Sequence, residues 1–236
     1  MAANHVRAGT VKNERSLCIV GGVPSTTDKS PARRSEARER LLSTASRLFY
    51  SEGINGVGVD RIVSASNVTL ATFYRHFPSK QDLVVSYLQA IHDALVERAE
   101  AAAAGKEGRE LIAAIGAEVV TEVGHEGFRG CAFINAASEF EDPDGPIMRA
   151  VLTHRTWFFD LVRDAFASAG HPQPDLAASR YVMLRDGATT AGHLGDPSQA
   201  RETFDRSVTE LLRFIDEPAE TDKPHDRSHV FRGRTV

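Results

Sequence analysis

Cysteine is almost absent from this 236-residue chain, which holds only Cys18 and Cys131. Two cysteines build no disulfide framework, and the simplest compartment for such a chain is the reducing cytoplasm. Long apolar runs are missing as well. Ser16–Val23 (SLCIVGGV) is far short of the roughly 20 residues a membrane helix needs and carries no signal-peptide cleavage pattern. Arg33-Arg34 leads into charged residues, so it is not read as an export signal. No internal repeat is visible, and β-type alternation is scarce. The nine histidines do not cluster with Cys or acidic residues at ligand spacing, so no metal and no cofactor is expected. G-x-S-x-G, a phosphate loop and a dinucleotide fingerprint are also missing. The run Gly53–Gly58 (GINGVG) has the wrong spacing and falls between helices. The chain is therefore not expected to be an enzyme.

A net positive charge is lacking too, since the chain carries −4. Its distribution matters more than its sum. Residues 1–80 hold 12 Lys/Arg against six Asp/Glu, and the remainder holds 16 against 26. A basic front on an acidic body suits a module that faces phosphate while the body avoids it.

What is present is helical periodicity. The first helix is predicted over about 33–52, with Leu41, Leu42, Ala45, Leu48 and Phe49 on one stripe and Gly53 stopping it. Short helices are predicted at about 59–65 and 69–76. A long fourth helix begins after Pro78, where Ser79 and Asp82 form a capping pattern, and runs to the Ala-rich stretch before Gly105. Glycine and proline punctuation then marks helices at about 108–123, 130–140, 146–169, 175–194 and 197–215. Residues 1–32 and 217–236 have no periodicity and are expected to be a disordered basic extension and a disordered tail. The expected fold is all-α, with an N-terminal three-helix domain at 33–78 and a helical body at 79–216.

The segment Val59–Phe77 (VDRIVSASNVTLATFYRHF) has the order of a helix-turn-helix. Ile62, Val63 and Ala65 are expected to face the core from its first helix. Asn67 sits at the bend, where Asn tolerates a left-handed backbone. Val68 fills the angle between the helices, and Thr69 is a good N-cap for the second. Phe73 and Phe77 share its buried side, with Ala71 and Arg75 roughly opposite. The exposed face is small or hydroxyl-bearing and suits close approach to a major groove. The start of the fourth helix, with Lys80, is a candidate phosphate clamp.

These residues resemble the TetR family of bacterial transcription regulators. The matching positions are Phe49 with Gly53, Val59, Ile62, Ala65, Val68-Thr69, Thr72 through Lys80, and Leu83, within about 36–90. The chain departs at Asn67, usually Gly, at Arg61, often an acid, and at Phe73, more commonly Leu. The resemblance implies a three-helix DNA-binding domain and a C-terminal ligand and dimer domain. It implies phosphate contacts from Thr69, Thr72, Tyr74, His76 and Lys80, groove reading by Leu70, Ala71 and Thr72, and an additional DNA contact at Arg75. His76 has a second reading, a hydrogen bond within the module. Arg33, Arg34, Arg38 and Arg40 are either a minor-groove arm or a solvated basic tail.

In the body, Gly187 to Gly192 would let another helix approach, and Phe204, Val208, Leu211, Leu212 and Ile215 form a stripe. The resemblance implies a homodimer through these helices; an intramolecular core uses the same spacing. Phe133, His154, Trp157 and Phe158 are candidate lining for a small-molecule pocket, with His193 as a further member, or else ordinary core. The expected function is a homodimeric repressor on a pseudo-palindromic double-stranded DNA operator, released by a small-molecule ligand. The alternatives are a thiol-responsive regulator using Cys131, or an α-helical small-molecule-binding protein or enzyme without DNA binding.

Overall fold

The computed structural model describes residues 36–213 and 215. The N-terminal extension with Cys18, the Arg33-Arg34 part of the basic arm and the 217–236 tail lie outside them. Among the described residues all regular structure is helical: α1 (Glu36–Glu52), α2 (Val59–Ser66), α3 (Leu70–His76), α4 (Lys80–Ala103), α5 (Gly108–Val123), α6 (Ala132–Glu139), α7 (Pro146–Ser168), α8 (Pro174–Leu194) and α9 (Pro197–Arg213). No described helix is long and apolar enough to cross a membrane.

The helix ends follow local chemistry. The turn between α2 and α3 is a Schellman motif: Val68 N–H donates to Val63 O (3.2 Å) and Asn67 N–H to Ser64 O (3.3 Å). Asn67 occupies the left-handed position at φ 53° and ψ 49°, which accounts for a residue other than Gly there. The same motif closes α7, where Gly170 stands at φ +77° and His171 N–H reaches Phe166 O at 3.0 Å. Thr69 caps α3 through Thr72 N–H (3.2 Å), and Ser79 caps α4 through Asp82 N–H (3.1 Å). Asp82 does not complete a reciprocal box, because its carboxylate takes the Ser79 hydroxyl at 2.7 Å.

Two apolar cores hold the chain. The first joins α1–α4 to α6 and the start of α7, around Leu41, Leu48, Phe49, Ile62, Phe73, Phe77, Leu83, Tyr87, Phe133 and Ile147. The second joins α5, α7, α8 and α9, around Ile112, Val119, Phe158, Phe166, Tyr181 and Phe204. One reading of α2 needs correction: Ala65 is exposed and Ser66 is buried instead. Ser66 satisfies its hydroxyl by donating to Ile62 O at 2.7 Å, so a polar residue serves the inner face at little cost. The α9 stripe is used in part inside the chain. Phe204, Val208 and Leu211 are buried in the second core, and Phe204 meets the Tyr181 ring edge-on at 5.6 Å.

Candidate nucleic-acid interface and cavity

The helix-turn-helix is fixed by Phe73 and Phe77, both buried, with ring centroids 6.2 Å apart. That leaves Leu70, Ala71, Tyr74 and Arg75 exposed on one side of α3, with Thr72 and His76 half-buried beside them. Leu70 is 45% and Tyr74 51% exposed, large apolar surface that a monomeric head has no internal reason to present. Thr69 and Thr72 hydroxyls lie 2.9 Å apart and bond to each other. Lys80 opens α4 half-buried, and burial lowers its pKa while Glu139 pulls it back up. Arg61, where the family resemblance departs, forks onto Glu52 with Nε at 3.2 Å and Nη2 at 2.8 Å, tying α2 to α1. Arg38 lies over the Phe77 ring at 5.1 Å.

The head is tied to the body by two polar clamps that sequence reading missed. Glu139, at the end of α6, accepts from Ile54 N–H (3.0 Å) and Asn55 N–H (2.6 Å) in the α1–α2 turn, and Asn55 Nδ2 donates back to Glu139 O (3.0 Å). Tyr50 on α1 donates its hydroxyl to Gly130 O (3.0 Å) and accepts from Arg129 N–H (2.7 Å). Burial raises the Tyr50 pKa, so the phenol stays a donor. Neither partner lies near in sequence, so no local pattern marks them.

A cavity of about 50 Å³ sits between α4, α5, α7 and α8. Apolar walls come from Leu95, Ala99, Ile115, Val119, Trp157 and Phe158, and polar groups from Arg98, Glu118, Glu122, His154 and Arg185. Three of the four residues singled out from sequence, His154, Trp157 and Phe158, line it. Phe133 does not; it stacks on His154 with centroids 3.6 Å apart and planes 5° from parallel. His193 is exposed and lies outside the lining.

The polar end was also missed, although it leaves a signal. Arg185 falls on the buried α8 stripe of Tyr181, Val182, Ala188 and Thr189, and Glu122 falls on the α5 stripe of Ile115, Val119 and Val123. A charge in phase with an apolar stripe is the observation that points inward. Arg185 donates to Asp186 (2.9 Å), approaches Cys131 Sγ (3.5 Å) and lies 4.9 Å from the Phe158 ring centre. Asp186 is shared with Arg155 at 2.8 Å. Arg98 bridges α4 to α5 through Glu118, with Nε 3.1 Å from Oε2. Burial raises the Glu122 pKa against the pull of Arg185 and Arg98.

His154 is held neutral. Burial first, then the charges of Arg185, His92 and Arg155, push its pKa down to about 2. The unfolded chain binds a proton there near the ordinary pKa of about 6.5, whereas the folded chain does not. Stability is therefore present above that value and lost as pH falls below it. Lowering the pH from 7 to 5 is expected to remove up to about 2 kcal/mol through this group. Urea denaturation of the wild type and His154→Phe at both pH values checks it, the variant showing the flatter dependence.

Exposed α3 on a capped, Phe-anchored bend defines a helix-turn-helix regulator head. Residues 41–87 match the family described as bacterial regulatory proteins, tetR family. A TetR-family transcriptional regulator from Streptomyces coelicolor is 44% identical, with a TM-score of 0.75, over 78% of this chain and 98% of that one. The HTH-type transcriptional regulator TcmR of Streptomyces glaucescens is 33% identical over 89 residues, 35% of this chain and 39% of its own length. The nucleoid occlusion factor SlmA of Cronobacter sakazakii is 34% identical over 71 residues, 30% of this chain and 36% of its own length. The chain thus spans little more than a third of those two curated relatives. The protein belongs to the TetR family of transcriptional regulators.

Proposed function

We propose that the protein is a homodimeric repressor whose two α3 helices enter major grooves of a pseudo-palindromic operator, and that a small molecule bound between α4, α5, α7 and α8 releases it. The observation that carries this reading is α4 itself. It begins at Lys80 beside α3 and continues unbroken to Leu95, Arg98 and Ala99 in the cavity wall. A cavity of about 50 Å³ holds only a few waters, far below the roughly 300 Å³ of a typical ligand site. A ligand must therefore widen it by displacing the helices that wall it, α4 among them, and so prefers a conformation with displaced heads.

On DNA, Thr69, Thr72, Tyr74, His76 and Lys80 take phosphates, Leu70, Ala71 and Thr72 meet base edges, and Arg75 adds a contact. Selection of bound fragments from the source genome, followed by gel shift on the recovered fragment, tests this. Lys80→Ala is expected to weaken binding evenly across sequences and to reduce the salt slope by about 1. No fragment enriched at low salt would count against DNA binding by this chain.

The dimer reading rests on the outer face of α8. Met183 and Leu194 are 74% and 77% exposed, and Gly187 and Ala191 lie between them above Gln199 and Thr203 of α9. A second copy packed there covers apolar surface and brings two heads into register. Ala191→Arg is expected to give a monomer in sedimentation and to weaken operator binding at least roughly tenfold, because it drives a desolvated charge into the closest helix approach.

A further inference from the structure

His154 connects the cavity to α4. Its Nδ1 lies 3.3 Å from Nδ1 of His92, a residue of α4 outside the cavity lining. Its Nε2 is buried with no hydrogen-bond partner. Phe133 covers one ring face, Trp157 lies tilted 5.4 Å away, and His154 is part of the cavity lining. The two nitrogens of one neutral imidazole cannot both donate. An unpaired buried N–H is rarer, and costs more, than an unpaired acceptor. Arg185 and Arg155 also make the potential at this ring positive, which favours a lone pair on the unpaired nitrogen. The proton accordingly belongs on Nδ1, donated to His92, and Nε2 waits as an acceptor.

The rest of the lining sets the ligand body. Trp157 and Phe158 offer ring surface, and Leu95, Ala99, Ile115 and Val119 exclude water. Arg98 is paired with Glu118 and Arg185 with Asp186, so no cation stands open to an anionic ligand. Building on the ligand reading given above, we propose that this cavity takes a flat, uncharged aromatic whose hydroxyl donates to His154 Nε2, and that the His154–His92 pair carries this bond to α4. Hydrogen bonds in a chain polarise one another, so a donor at Nε2 strengthens the Nδ1–H···Nδ1 bond across the α4–α7 contact.

The test uses the full chain and two probes of nearly equal shape, phenol and its methyl ether anisole, which cannot donate. Trp157 is the one tryptophan in the sequence, so its emission reports the cavity alone. Phenol is expected to bind roughly tenfold more tightly than anisole. Side-chain ¹⁵N spectra are expected to show phenol, not anisole, shifting His154 Nε2 as an unprotonated nitrogen, together with a shift at His92 Nδ1. In His154→Phe the tenfold preference is expected to vanish while both probes still bind; the wild-type spectra stand on their own if that variant does not fold. Equal binding of the two probes, or phenol binding with His154 and His92 unmoved, overturns the proposal and leaves the cavity a ligand site. Silence of Trp157 to both probes overturns the aromatic ligand proposed here, while the operator-binding experiments above test the regulator reading separately.

Discussion

Phe73→Ala is expected to unfold the head at a cost of about 3–5 kcal/mol. Phe73 is fully buried, packs edge-on against Tyr74 at 5.2 Å and meets the tilted ring of Phe77 at 6.2 Å. It is the main side chain by which the seven-residue α3 reaches the first core. A helix that short has little stability of its own, so its order comes from this anchor. Removing the ring leaves a cavity in the first core that can close only if the surrounding helices move. Leu70→Ala, on the exposed side of the same helix, is expected to change stability by less than about 0.5 kcal/mol. Chemical denaturation of both variants separates the residue that holds α3 from one that α3 displays. Loss of stability in both, or in neither, would mean that the inner and outer faces are wrongly assigned.

Arg185→Ala is expected to cost about 3 kcal/mol, because breaking a buried ion pair strands its partner. Burial works against the Arg185 charge, but Cys131, Asp186 and Glu122 outweigh it and its pKa is raised. Asp186 keeps Arg155, which limits the loss on that side. Glu122 loses the stronger of the two positive charges that draw its pKa down and keeps Arg98. Its pKa is already raised, so the folded state holds a proton the unfolded state releases, and stability is lost as pH rises past the ordinary carboxylate range of about 4.3. Without Arg185 that decline steepens. Denaturation midpoints of the variant between pH 4 and 8 check both the size and the slope. Arg185→Leu fills the volume and is expected to recover part of the loss; full recovery would make the guanidinium's charge irrelevant to folding.

These two residues mark how much was legible beforehand. Phe73 was, because i and i+4 spacing on a short helix fixes which side faces in, and the bend at Asn67 and the caps at Thr69 and Ser79 are chemistry within four residues. The nine described helices follow the predicted order for the same reason, and apart from the start of α1, where residues 33–35 lie outside the described ones, their boundaries fall within two residues of the expected positions. Arg185 and Glu122 were readable only as charges in phase with apolar stripes. Their meeting depends on how α5, α7 and α8 cross.

Sequence by itself determined the all-α fold, the helix-turn-helix and the face that α3 exposes, since period, caps and turn residues act over one or two turns. Tertiary structure decided the rest. It buried Phe204, Val208 and Leu211 of α9 in the second core, put Ser66 where Ala65 was expected, and excluded Phe133 and His193 from the cavity. It also joined Glu139 to the α1–α2 turn and His92 to His154, 62 residues apart. Those pairings rest on helix crossings and on the need to satisfy buried polar atoms, which no local period encodes.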